Sequence, residues 1–128
     1  MTAPGLAVRY LGLWPVPGSL HEGPDSEDME NLPPGAEFDV LAEGIVLGRL
    51  QGVDVWILSP YVKRKHARLL PIGDGLKLED LESTNGTFVN GEWTRKALLH
   101  TGDRFAIAGL YHFEVVRRDD RDQKHEEP

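Results

Sequence analysis

Positively charged side chains concentrated in the middle of the chain are the residues best suited to chemistry. Residues 48–69 contain five cations and one acid, although the whole protein carries a net charge of −7. The five cations are Arg49, Lys63, Arg64, Lys65 and Arg68. A local basic cluster on an acidic protein favours a small anionic ligand over a polyanion. Alone, the three consecutive charges at 63–65 also fit an ordinary solvated loop.

The decapeptide at residues 82–91, ESTNGTFVNG, contains two Asn-Gly pairs on either side of a short apolar run. Asn-Gly accepts positive φ at both central positions of a type I′ turn, so each pair predicts a tight turn. Taken alone, the decapeptide predicts two hairpin turns and no ligand.

Four sequence blocks, in this order and spacing, resemble the forkhead-associated (FHA) domain. They are Gly48-Arg49, Lys63-Arg64-Lys65-His66, Ser83-Thr84-Asn85-Gly86-Thr87-Phe88-Val89-Asn90-Gly91, and Leu99-His100-Thr101-Gly102-Asp103. The family pattern is Gly-Arg, Ser-Arg-x-His, Ser-Thr-Asn-Gly-Thr-Phe-Val-Asn-Gly and Leu-x-x-Gly-Asp. The resemblance covers roughly residues 37–116, and four ordered blocks are far more specific than any one of them. It departs from the pattern at Lys63, where the family usually has serine.

The resemblance implies a non-catalytic module that binds phosphothreonine peptides in Ser/Thr-kinase signalling. Phosphothreonine carries nearly two negative charges and three strong acceptor oxygens, which charged donors on rigidly held loops can bind. By matching position, Arg49, Lys63 and Arg64 would contact the phosphate. Thr84 would support the pocket around the threonine methyl group, and Asn85 would hydrogen-bond the peptide backbone.

Three further motif residues are implied to shape the loops without touching the ligand. The resemblance makes His66 a buried residue that braces the recognition loop through side-chain hydrogen bonds. Gly48 and Gly86 would serve where the backbone needs close approach or positive φ.

Lys63 leaves two outcomes open. Lysine offers a full charge on a flexible, strongly hydrated stem, so it could reach the phosphate in place of the serine hydroxyl. Alternatively, its bulk could fill the pocket. The chain would then be an FHA-fold interaction module that has lost phosphate dependence and binds an unphosphorylated partner through another face.

The composition argues against several other functions. With no cysteine, the chain has no disulfide, thiol nucleophile or Cys-based zinc site, and its five histidines lack metal-ligand spacing. We therefore expect no metal and no cofactor. His66, Asp80 and Ser83 are residue types of a hydrolase triad, but no Gly-x-Ser-x-Gly elbow accompanies them, so we expect no enzyme activity.

The same sequence features bear on partners and location. A net charge of −7 disfavours nucleic-acid binding, and no apolar run is long enough to span a membrane. No targeting signal is evident, so we expect a cytoplasmic protein, without membrane or nucleic-acid partners, that acts as a monomer on a phosphothreonine-containing protein or peptide.

Many short β-rich runs separated by turn signals predict an all-β, two-sheet antiparallel sandwich of about 10–11 strands. Predicted strands after the first are 36–41, 45–48, 53–58, 67–72, 76–81, 87–89, a short piece near Trp93, 104–108 and 111–116.

We expect residues 1–118 to form a single FHA-like domain. Its first strand would be 6–14, followed by an acidic, Pro/Gly-rich insert at 15–35 and a motif-bearing core at 36–117. The polar tail at 119–128 contains no apolar residue and is expected to be disordered.

Overall fold

The computed structural model describes residues 5–17 and 30–118. Every element in these ranges is a β-strand, and there are eleven. The strands are β1 Leu6–Leu13, β2 Glu37–Asp39, β3 Ile45–Gly48, β4 Val55–Trp56, β5 Ala67–Ile72, β6 Gly75–Asp80, β7 Thr87–Val89, β8 Glu92–Trp93, β9 Lys96–Leu99, β10 Arg104–Ile107 and β11 Tyr111–Arg117. The described part of the chain contains no helix that could cross a membrane.

The alternation of side chains explains why these segments form half-buried strands. In β11, Tyr111, Phe113 and Val115 are buried, whereas His112 and Glu114 between them lie on the other face. Successive side chains of a strand point to opposite faces, so one face of β11 enters the core.

The strands form two sheets, as predicted. One has six strands in the order β2-β1-β11-β10-β7-β8, and the other has five in the order β4-β3-β5-β6-β9. Pairing is antiparallel with one exception, because β3 and β4 run parallel, with Leu47 opposite Val55 and Gly48 opposite Trp56. The segments that follow β3 and β4 therefore leave from the same end of the sheet.

The core lies between the sheets and is almost entirely apolar. Its largest fully buried side chains are Tyr10, Tyr111, Phe105, Phe113, Leu6, Ile45, Leu47, Ile57, Leu69, Leu76, Leu78 and Leu99. Phe105 stacks on Phe113 with ring centroids 5.2 Å apart. Burying such side chains is the main stabilising contribution, at about 1.5–3 kcal/mol for each.

Two residues at the C-terminal side of the insert are fastened to the sandwich. The buried Tyr10 donates its hydroxyl hydrogen to Glu30 Oε2 at 2.6 Å, and burial raises the tyrosine pKa. Asn31 Nδ2 donates to Trp56 O at 2.8 Å, while Leu58 N donates to Asn31 Oδ1 at 2.9 Å. The asparagine side chain thus pairs with the edge of β4 as a neighbouring strand would.

The structure differs from the sequence prediction at several elements. β9 was not predicted, and β4 has two residues where six were expected. Val53 N donates to Leu50 O at 3.2 Å, so a turn occupies the start of the predicted strand. Residues 18–29 of the insert and the tail 119–128 lie outside the described ranges, so the predictions for them stay predictions.

Candidate functional site

Three connections meet at one end of the sandwich: the first loop, residues 49–54 after β3; the second loop, residues 57–66 after β4; and the third loop, residues 81–86 after β6. Arg49 N donates to Lys63 O at 3.0 Å, and Leu50 N donates to Arg64 O at 3.1 Å. The cations of the first and second loops therefore lie on neighbouring backbone segments.

Gly48 permits this close approach of the two loops. A Cβ atom built on Gly48 would overlap the carbonyl oxygen of Arg64 and lie 3.0 Å from Lys65 Cα. Any side chain at this position would push the second loop away from β3. The glycine of the Gly-Arg motif is thus explained by packing of one backbone on another.

Arg49 is exposed, and its side chain is oriented by one hydrogen bond. Its Nε donates to Val62 O at 3.0 Å, and its own carbonyl accepts from Trp56 Nε1 at 2.9 Å. Among the described residues no carboxylate pairs with Arg49. A guanidinium has five N–H donors, so its two terminal nitrogens stay available for an anion.

Lys63 is the residue whose placement differs most from the sequence expectation. Its Nζ donates to Leu81 O at 2.6 Å and lies 3.4 Å from Glu82 O. The ammonium therefore connects the second loop to the third, a role that neither sequence alternative included. Arg64 and Lys65 are both exposed, and within the described ranges neither has an ion-pair partner.

Thr84 and Asn85 lie side by side in the third loop. Thr84 is exposed, and Asn85 Nδ2 donates to Tyr61 O in the second loop at 2.8 Å. The prediction of a type I′ turn at Asn85-Gly86 is wrong, because only Gly86 has a positive φ, of 87°. Instead, the side chain of Asn85 joins the third loop to the second.

The second Asn-Gly pair behaves as its sequence predicts. Asn90 and Gly91 have φ values of 49° and 91° and form the two-residue connection between β7 and β8. Positive φ at both central positions is the requirement of a type I′ hairpin.

His66 is fully buried and bonds through both ring nitrogens. Nδ1 accepts from Lys63 N at 3.0 Å, so the proton is on Nε2, which donates to Gly86 O at 2.8 Å. Burial lowers the histidine pKa; the Gly86 carbonyl and Asp80 oppose this shift, and the Lys63 ammonium adds to it. The ring is neutral and joins the second loop to the third.

The carboxylate of Asp80 organises the third loop from beneath, a role that was not predicted from the sequence. Asp80 Oδ1 accepts from Ser83 Oγ at 2.6 Å and from the buried Thr87 Oγ1 at 2.7 Å. Asp80 Oδ2 accepts from Ser83 N at 3.0 Å, and Gly86 N donates to Ser83 Oγ at 3.0 Å. The signal available was an aspartate three residues before serine, a spacing suited to a side chain capping a turn.

His66, Asp80 and Ser83 do not form a hydrolase triad. In a triad the histidine lies between nucleophile and acid, whereas here Ser83 Oγ bonds directly to the carboxylate. His66 Nε2 bonds to Gly86 O and lies 3.9 Å from Asp80 Oδ1. No group of three metal-binding side chains occurs in the ranges that the structure describes.

The outer face of the six-stranded sheet carries two exposed tryptophans. Trp14 is 42% exposed and stacks on His112 with centroids 3.8 Å apart, and Trp93 is 52% exposed. A groove of about 230 Å³ lies beside Trp14, over Phe88 and Ala106. A Cβ on Gly86 would lie 2.9 Å from Trp93 Cε2, so this face adjoins the third loop.

Comparison with known proteins bears on the family. The FHA domain model matches residues 45–108, half of the chain. The chain is 40% identical over 83 residues to the ABC transporter ATP-binding/permease protein Rv1747 of Mycobacterium tuberculosis, covering 64% of the chain and 10% of that protein. It is 33% identical over 73 residues to the oxoglutarate dehydrogenase inhibitor of Corynebacterium jeikeium, covering 57% of the chain and 51% of that protein.

The chain thus spans a tenth and about half of the lengths of these two relatives. Among solved structures, it is similar to one from a structural and functional analysis of phosphothreonine-dependent FHA domain interactions. The TM-score is 0.64 at 21% identity, over 88% of this chain and 95% of the other. At that identity the likeness shows the fold. Together with the match over half of its residues, it shows that the chain belongs to the FHA domain family.

Proposed function

We propose that this protein is a non-catalytic module that binds a phosphothreonine-containing segment of a partner protein in Ser/Thr-kinase signalling. The observation that carries the proposal is a set of cations at one end of the sandwich that have no carboxylate partner within residues 5–17 and 30–118. Its members are Arg49, Lys63, Arg64 and Lys65. Elsewhere in the described ranges, Arg9 and Arg118 pair with Glu37, and Arg68 and Lys77 pair with Glu79, whereas Arg95, Lys96 and Arg104 form no ion pair.

The clustering of these four cations on adjacent loops matters because acids are abundant in the protein. With 21 acidic residues against 14 Lys and Arg, a cation has many possible partners. Four cations on adjacent loops, none of them paired with a carboxylate of the described residues, therefore favour an external anion. Phosphothreonine suits them, since charge-assisted hydrogen bonds to phosphate are about twice as strong as neutral ones.

In the proposed complex, Arg49 provides the most directional contact. Its Nε is held by Val62 O, so the terminal nitrogens can form paired hydrogen bonds to two phosphate oxygens. Arg64 and the ammonium of Lys63 add positive charge on the neighbouring loop. The bound peptide would exclude water from the site, and the lower local dielectric constant would strengthen each of these contacts.

The third loop supplies the contacts to the methyl group of the phosphothreonine and to the peptide backbone. Thr84 is exposed beside the cations and would support the pocket for the threonine methyl group. Asn85 uses one amide hydrogen for Tyr61 O, which leaves its Oδ1 and second hydrogen for the peptide backbone. We expect the protein to act as a cytoplasmic monomer, without cofactor, membrane or nucleic acid.

A library of phosphothreonine peptides, followed by calorimetry on matched versions of the best sequence, tests the proposal. The phosphothreonine peptide should bind, and the threonine peptide should not. Replacement by phosphoserine should weaken binding, because the pocket for the methyl group would be empty. If no phosphothreonine peptide binds at low ionic strength, the proposed function is wrong.

The second candidate function is a phosphate-independent protein interaction. The observation favouring it is the outer face of the six-stranded sheet, where Trp14 and Trp93 are exposed beside an apolar groove. Exposed tryptophan is enriched at protein interfaces. Equal binding of a partner with and without phosphorylation, lost on Trp93→Ala but kept on Arg49→Ala, would favour this candidate.

A further inference from the structure

Three side-chain hydrogen bonds join the second loop to the third. His66 Nε2 donates to Gly86 O at 2.8 Å, and Asn85 Nδ2 donates to Tyr61 O at 2.8 Å. The third comes from Lys63 Nζ, which bonds to Leu81 O at 2.6 Å. The first two belong to residues that match the family pattern, whereas Lys63 stands at the position that departs from it.

The backbone that receives the ammonium is itself strained. Glu82 has a φ of 62°, a left-handed conformation that costs about 1–2 kcal/mol for a residue with a side chain. Nothing but surrounding contacts can hold such a conformation. Lys63 Nζ lies against the carbonyl of Glu82 and the carbonyl that precedes it, at 3.4 Å and 2.6 Å.

We infer that Lys63 is a positioning residue, whose ammonium fastens the start of the third loop to the second loop within the protein itself. Thr84 and Asn85 follow directly after the fastened segment, so the tie fixes where both side chains are presented. Lysine usually positions its charge poorly, because its side chain is flexible. Here the carbonyl oxygens hold the ammonium and restrict that flexibility. The role toward a ligand rests on the proposed phosphopeptide function; the ordering of the loop does not.

Fastening loops before binding raises affinity, because less conformational freedom is lost when the ligand arrives. On this account Lys63 acts on the ligand mainly through the third loop. A purely electrostatic role would depend on charge alone, and it would weaken steeply in salt. The two roles therefore differ in measurable ways.

The test compares three substitutions. Lys63→Met removes the ammonium at similar length, Lys63→Arg keeps charged donors, and Lys65→Met removes a neighbouring exposed charge that makes no such tie. Lys63→Ser provides a second removal of the ammonium, should the methionine variant fold poorly. Hydrogen exchange of the Leu81, Ser83 and Gly86 amides is measured in the free protein, with β1 amides as the internal reference.

Loss of a hydrogen bond from a charged donor should accelerate exchange of the third-loop amides roughly tenfold in Lys63→Met. Exchange should stay near the parent rate in Lys65→Met, and Lys63→Arg should restore most of the protection. Unchanged exchange in both Lys63→Met and Lys63→Ser would overturn the inference.

Affinity for a phosphothreonine peptide, at low salt and at 1 M salt, gives the second readout. The loss in Lys63→Met relative to the parent should persist at 1 M salt, where the screening length is only about 3 Å. The loss in Lys65→Met should shrink. Identical salt behaviour of the two variants would contradict a positioning role. A parent protein that binds no phosphopeptide would refute the proposed function alone, since the exchange measurement would still decide the role of Lys63.

Discussion

Asn85 Nδ2 donates a hydrogen bond to the main-chain oxygen of Tyr61 at 2.8 Å, across 24 positions of sequence. Asn85, which by family resemblance would hydrogen-bond the backbone of a bound peptide, is thus already bonded to the loop on the opposite side of the site. Asn85 therefore has two tasks, one within the protein and one toward a ligand, and substitutions there should affect both.

Asn85→Ala should lower both the free energy of unfolding and the affinity for phosphopeptide. The lost hydrogen bond to Tyr61 accounts for about 0.5–1.5 kcal/mol of stability, and the lost peptide contact for a similar amount of binding. Urea unfolding and calorimetry measure the two quantities. Thr84→Ala is the matched control, since this exposed neighbour should change affinity without changing stability. Unaltered binding by Asn85→Ala would remove the asparagine from the site.

Arg49→Ala should weaken phosphopeptide binding by about 2 kcal/mol or more, since hydrogen bonds to charged groups contribute about 1.5–3 kcal/mol. Its exposed side chain packs little against the core, so the unfolding temperature should change only slightly. Arg68→Ala is the control, because that arginine is also exposed but is paired with Glu79. Equal affinities of parent and Arg49→Ala, with the fold intact, would refute the phosphate assignment.

Gly48→Ala should destabilise the protein and weaken binding together. The new methyl group would overlap the Arg64 carbonyl, so the second loop must move away from β3. We expect a loss of about 1–3 kcal/mol, the range for overpacking a tight contact. Gly73→Ala separates sterics from backbone conformation, because Gly73 has open space but a φ of 59°. That control should lose stability without losing affinity. If Gly48→Ala binds phosphopeptide with the affinity of the parent protein, the site tolerates displacement of the second loop.

Stability should fall as pH is lowered from about 7 to 5. The pKa of His66 lies below its unfolded value of about 6.5, so the unfolded chain binds the proton more readily. The stabilisation from the neutral ring is fully present above the unfolded pKa and is lost as pH falls toward the folded one. Each such histidine adds a slope of up to about 1.4 kcal/mol per pH unit, and His112, whose pKa is also lowered, adds to it.

The pH dependence is measured by urea unfolding at several pH values. His66→Gln should flatten the slope, because the ring that is buried in its neutral form is then absent. The pKa of Glu79 is lowered mainly by its hydrogen bond with Arg68, so its contribution to the pH dependence of stability falls at a more acidic pH than that of the histidines. An identical slope in the parent and in His66→Gln would contradict the assignment.

Local patterns predicted the sandwich, because alternation within one strand needs no knowledge of its neighbours. β11 was predicted as a short β-rich run at 111–116, and its apolar residues Tyr111, Phe113 and Val115 are buried in the structure. β9 was missed because Leu98 is exposed next to the buried Leu99, so the strand depends on its pairing with β6. Asn85 and Lys63 were assigned to the ligand from the motif. Their bonds reach across 24 and 18 positions, a distance over which local sequence carries no geometric information.

The position of β11 in the middle of its sheet has a consequence for synthesis of the chain. β11 separates β1 from β10, and Leu6 pairs with Arg117 from the other end of the described chain. Until residue 117 has left the ribosome, β1 has only the three-residue β2 as a neighbour in its sheet. A nascent chain must therefore keep most of an apolar strand without its main partner until β11 has emerged. Such distant pairing makes folding slow, on the scale of roughly milliseconds to seconds, and exposes the incomplete sheet to aggregation.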